Sequence, residues 1–206
     1  MYRYAEDRSV WRNARLYTEG MDIVWKRFLE FMKLFYKVYR RTGGGRLSPS
    51  MDIHQFEKIA DNLELYDARC TIQGVRNAFL FSQMLTVDNI TEAYKAEGLQ
   101  FVEFLEAIAH VAELWNLPTR EDIAACGHFE GEPPNVLDYL DAVRMDSERA
   151  VAVPASKERL PEHGLEAFLD MLARKIFTRS SSIPEGEAFN MPRTLKVMTA
   201  ALNRVG

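Results

Sequence analysis

The tightest constraint on the fold lies in residues 101 to 115, FVEFLEAIAHVAELW. Phe101, Phe104, Leu105, Ile108, Val111, Ala112 and Trp115 recur there at steps of three and four, one continuous apolar stripe on a helix. Such a stripe needs covering, and the chain supplies the cover. Residues 22 to about 41 predict a first helix whose Phe28, Phe31, Met32, Phe35, Tyr36 and Tyr39 form a stripe broad enough to bury against two neighbours. Thr42 to Gly45 ends it, since successive glycines favour left-handed or flexible backbone. Ser48 as cap and Pro49 at the first helical position predict a second helix through MDIHQFEKIADNL, with Phe56, Ile59, Ala60 and Leu63 inward. A third follows Thr71, with Ile72, Val75, Phe79 and Leu85 inward, and Pro118 closes the fourth. No run alternates as a strand does, so the fold class is all-α.

Past Pro118, Thr119 and Asp122 predict a capping box opening a short helix that Gly127 ends, and Asn135 caps VLDYLDAVRM. Residues 147 to 160 read as linker. GLEAFLDMLARKIF, with Leu165, Phe168, Leu169, Leu172 and Ile176, and PRTLKVMTAAL, with Leu195, Met198 and Leu202, predict two more helices around the loop RSSSIPEGEAFN. The chain thus divides into an arm at 1–21, a main helical domain at 22–118 and a C-terminal helical extension at 119–206.

The first four helices pair. Gln55-Phe56 opens helix two as Glu103-Phe104 opens helix four. Taking Gln55 and Glu103 as the last residues of twelve-residue calcium loops gives loops 44–55 and 92–103. Met51 and Leu99 then fall at the apolar eighth position, where the loops of an EF-hand pair join through a short strand link. The spacing predicts paired, degenerate EF-hand-like units with additional C-terminal helices. Ligand chemistry argues against the ion. Positions one, three, five and twelve are Gly44, Arg46, Ser48 and Gln55 in the first loop and Glu92, Tyr94, Ala96 and Glu103 in the second. Two carboxylates fall short of the roughly six to eight oxygens calcium takes. Asp88, Glu92 and Glu97 are what remains for a displaced site, and no cofactor is expected.

An aromatic-rich helix ending in Tyr, a methionine-led QFEKI helix, an interrupted TIQGVRNAF helix and a final LQFVEFLEAIAHVA follow in that order over about residues 22 to 115. This order resembles the EF-hand-like domain of the tubulin polymerization-promoting protein family and related ciliary and flagellar proteins of protists. The resemblance implies a cytoskeletal binding module of a cilium or flagellum without working calcium loops, with tubulin or axonemal proteins as partners. The C-terminal half departs from that family and carries none of its glycine-rich tail.

Charge is unevenly spread. Residues 1 to 46 hold 11 Lys/Arg against 5 Asp/Glu, and the rest of the chain 15 against 25, so a basic beginning precedes an acidic remainder. Arg3, Arg8, Arg12 and Arg15 interleave with Tyr4, Trp11 and Tyr17, a composition typical of interface anchors. These seven residues are the candidate partner-binding set; the competing reading is a solvated tail. A sequence pI near 5.7 and the lack of a recognised motif argue against nucleic acid. No apolar run approaches the roughly 18 residues of a membrane span, and the N-terminus does not read as a secretory signal. Cys70 and Cys126 are far apart without a CxxC, which fits a reducing, intracellular compartment.

Weaker signals complete the reading. Glu106, His110 and Glu113 share a helix face suited to metal or proton work, with charge pairing as the simpler account. Cys126 and His128 lack the further ligands zinc needs, and the GGGR stretch beside Arg40 and Arg41 lacks the strand and GK[ST] ending of a phosphate loop. No catalytic motif stands out, so a non-enzyme is expected. The alternative function is a calcium-independent regulatory module holding a partner helix in an apolar groove, which the nine methionines leave open; a calcium-binding protein is the third.

Overall fold

Thr18 starts the main body of the protein: its Oγ1 accepts from the Met21 amide at 3.2 Å and opens α1 (Glu19–Tyr39), with Glu19 and Asp22 complementing the positive helix end. The computed structural model describes residues 8–41, 48–67, 70–83, 98–125, 135–145, 160–180 and 188–203. Within these, α2 (Ile53–Asn62), α3 (Ile72–Ser82), α4 (Phe101–Trp115), α5 (Arg120–Ala125), α6 (Val136–Met145), α7 (Pro161–Thr178) and α8 (Met191–Asn203) follow in order. All regular elements among the described residues are helical, as expected.

The stripes behave as their spacing requires. Phe104, Ile108, Val111, Ala112 and Trp115 of α4 are buried, and so are Phe28, Phe31, Met32, Phe35 and Tyr36 of α1. Phe104 is the hub, with its ring centroid 5.1 Å from that of Tyr36, 6.1 Å from Phe35 and 6.3 Å from Phe56. α4 packs against α3 on one side and α7 on another, while α1 lies against α7 and α8. Buried residues from Leu16 to Met198 consequently form one cluster.

Two expected details are corrected. Ser48 and Pro49 do not open α2; Asp52 does, in a capping box with Gln55. The reason is Met51, whose amide and carbonyl both bond to Leu99 and so cannot belong to a helical turn. Ile72 is 52% exposed rather than inward. Helical side chains lean back toward the N-terminus, so a first-turn residue projects past the end of the packed surface. Leu85, Gly127 and residues 146–159 lie outside the described residues, as do Cys126 and His128.

The predicted caps of the later helices are present. Thr119 and Asp122 exchange hydrogen bonds at 2.8 and 3.1 Å, and Asn135 Oδ1 accepts from the Leu137 and Asp138 amides. α7 also caps another helix. Lys175 Nζ donates to the Leu63 carbonyl at 2.7 Å and reaches that of Glu64 at 3.4 Å, while Arg179 donates to Asn62 O and pairs with Glu64. The carbonyls left over at the end of α2 are thereby met by cations from a distant helix.

Candidate functional site

The connections α1–α2 and α3–α4 meet where Met51 and Leu99 form an isolated antiparallel bridge. Met51 N donates to Leu99 O at 3.0 Å and Leu99 N to Met51 O at 2.8 Å; both side chains are fully buried. The Tyr36 hydroxyl adds a second donor to Leu99 O at 2.8 Å, and burial raises the Tyr36 pKa. Gly98 permits this approach, since a Cβ there would stand 2.8 Å from Met51 O and 2.5 Å from Ser50 Oγ.

The two residues aligned at the twelfth loop position are both committed to helix ends. Gln55 Oε1 accepts from the Asp52 amide at 3.0 Å, and Glu103 Oε2 from the Gln100 amide at 2.6 Å. Each therefore reaches back three residues to the start of its own helix. Glu103 is only 3% exposed. Among the described residues no group of three or more His, Cys, Asp or Glu could hold a metal ion; Gly44, Arg46, Asp88, Glu92, Tyr94, Ala96 and Glu97 lie outside them. Arg40, beside the GGGR stretch, donates to Pro49 O and sits over the Tyr36 ring.

A second polar locus lies along α4. Residues 8–16 are helical, with Arg12–Leu16 in a wider π-helical turn closed by Tyr17 N on Arg12 O, and Tyr17 and Thr18 join this segment to α1. It is no solvated tail. Arg8 donates through both terminal nitrogens to Leu80 O and Gln83 O at the end of α3. Trp11 stacks on His110 with centroids 3.8 Å apart and donates its indole N–H to Glu113 at 3.0 Å. Arg12 Nε reaches both oxygens of Glu106, at 2.9 and 3.0 Å, and Arg15 lies 3.9 Å from Glu113. Arg8, Trp11, Arg12 and Arg15 share one helical face, as do Glu106, His110 and Glu113 on α4, so two complementary rows meet.

Burial sets the electrostatics of this seam. It pushes the Glu106 carboxyl upward against the pull of Arg12 and Arg8. Burial, then Arg8 and Arg12, push His110 down to about 4, so its imidazole is neutral at physiological pH. Arg8 is itself lowered, by burial first and by Arg12 second.

Of the seven candidate partner-binding residues, Arg8, Trp11, Arg12 and Arg15 are brought together here and held against the protein's own α3 and α4. Tyr17 is 65% exposed, and Arg3 and Tyr4 lie outside the described residues. Glu106, His110 and Glu113 were legible as a shared face, whereas their pairing with the arm, 94 residues away for Glu106, was not. Among the described residues no helix is long and apolar enough to cross a membrane. No family model, curated protein or solved structure matches the chain.

Proposed function

We propose that this protein is a non-catalytic protein-interaction module built on two degenerate EF-hand-like units and working without calcium. The observation that carries this reading is the Met51 to Leu99 bridge flanked by Gln55 and Glu103. The loop-to-loop link survives, while the side chains that would close round an ion serve as helix caps. Bidentate ligation by Glu103 would require it to give up the Gln100 amide, and Gln55 carries no charge to offer. An isothermal titration with calcium should be flat through the micromolar range, and a saturable heat there would overturn the reading.

The partner proposed is cytoskeletal, a tubulin or axonemal surface in a cilium or flagellum, on the strength of the sequence resemblance over residues 22 to 115. Tubulin surfaces are acidic, and among the described arm candidates Arg15 and Tyr17 are the most open to solvent. Co-sedimentation with microtubules across a salt series tests this: binding should weaken as salt rises, and fall further for Arg15→Glu. An unchanged pellet fraction in the variant would remove the arm from the interface.

A further inference from the structure

The row of Glu106, His110 and Glu113 on α4, continued by the carbonyls of Leu80 and Gln83 on α3, is covered by a segment held in a way that suits displacement. Leu16 is the one buried side chain of residues 8–16, at 9% exposure, and Val10 is 68% exposed. Beside the packing of Trp11 and Leu16 the attachment is polar: Arg8 on two carbonyls, Trp11 on Glu113, Arg12 on Glu106. By contrast α1, two residues further on, buries seven side chains. The floor is built more firmly than its cover, since it lies on a helix whose Phe104, Ile108, Val111 and Trp115 fill the core.

From this we propose that the α3–α4 face is a receptor for a basic, tryptophan-bearing helix of another protein, and that residues 8–16 are its resident occupant in cis. The ligand class follows from the contacts. Arginines at helical spacing meet Glu106, Glu113 and the carbonyl end of α3, and an indole between them stacks on a neutral imidazole and donates to Glu113. The negative end of the α3 dipole favours a cation there whichever chain supplies it. A tethered arm competes at an effective concentration of order millimolar, so an incoming helix binds visibly only when it is better matched or when the arm is weakened. This rests on reading the chain as a protein-binding module; its test addresses the groove alone, so microtubule co-sedimentation can fail independently of it.

The test uses the full chain and a fluorescent peptide of residues 8–18 added in trans. Trp11→Ala/Arg12→Ala should bind the peptide at least about 10-fold more tightly than the wild type, because its own arm competes poorly. Adding Glu106→Gln to that variant should weaken binding by about 10-fold. Equal affinity of wild type and double variant, or indifference to Glu106→Gln, would overturn the proposal. Amide hydrogen exchange on the unaltered protein covers the case in which the variants fold poorly. The Tyr17 amide, bonded to Arg12 O, should exchange at least about 100-fold faster than amides in the middle of α1; matching protection would show that the arm opens only with the whole fold, and the receptor face would then never be presented.

Discussion

His110 is the side chain through which acid reaches the seam. Its folded pKa of about 4 lies below the ordinary 6.5, so the folded protein disfavours the imidazolium. The stability this provides is complete above pH 6.5 and is lost as pH falls toward 4, where the unfolded chain binds a proton that the folded one refuses. Glu106, raised by burial, works in the opposite sense and gains as pH falls. Trp11 stacks on the ring, Arg8 and Arg12 act on its charge, Phe81 of α3 lies at 6.3 Å, and Glu106 and Glu113 stand four residues before it and three after it on α4, held by Arg12 and Trp11. Replacing His110 by Phe keeps a ring beneath Trp11 without a titrating group. Urea unfolding at pH 7 and pH 4.5 should show the wild type losing about 2 kcal/mol more than the variant, allowing for the ring's partial exposure. A parallel loss in both proteins would exonerate the imidazole.

Two glycines make an internal comparison at the same scale. Gly98→Ala would drive a methyl into Met51 O and Ser50, and should destabilise by about 1–3 kcal/mol. Gly164, in the first turns of α7, has nothing within 4 Å of a built Cβ. Gly164→Ala should stabilise by up to about 1 kcal/mol through helix propensity. Opposite shifts in urea midpoint are expected; an unchanged or raised midpoint for Gly98→Ala would mean the bridge tolerates separation.

Among the elements, α2 and α7 are coupled through hydrogen bonds rather than through apolar packing alone. Lys175 is 8% exposed and meets carbonyls that no amide of α2 can reach. Lys175→Met preserves much of the stem and removes the donors. It should cost about 2 kcal/mol, in the range for charged hydrogen bonds left unmade, with amides of α2 losing protection first in hydrogen exchange. At the other end of α2, Asp52→Ala should cost about 1 kcal/mol, because the Gln55 amide loses its acceptor. In sequence, Asp52 was overlooked in favour of Ser48-Pro49, since cap chemistry alone cannot show that Met51 is held by another loop. Nothing in the residue pattern around ARK singles out Lys175, because the carbonyls it meets are backbone groups that leave no mark there.

Across the whole molecule, local signals were legible and long-range polar ones were not. The α4 stripe, the Thr119–Asp122 box, the Asn135 cap and the Met51–Leu99 register all follow from spacing within a few residues or from matching two loops. The docking of Arg12 on Glu106 depends on tertiary packing that brings together two rows legible only separately. Because α7 and α8 share one buried cluster with α1 and α4, thermal unfolding followed by tryptophan fluorescence and by far-ultraviolet circular dichroism should give coincident curves. Two separated transitions would assign the C-terminal helices to a unit of their own.

The Lys175 contact also orders events in time. It joins residues 112 positions apart, and a ribosome adding about 5–20 residues per second takes roughly 6–22 s to make that interval. Throughout that wait the Leu63 carbonyl at the end of α2 lacks its native donor, so the last turn of an early helix is completed only after most of the chain has been synthesised.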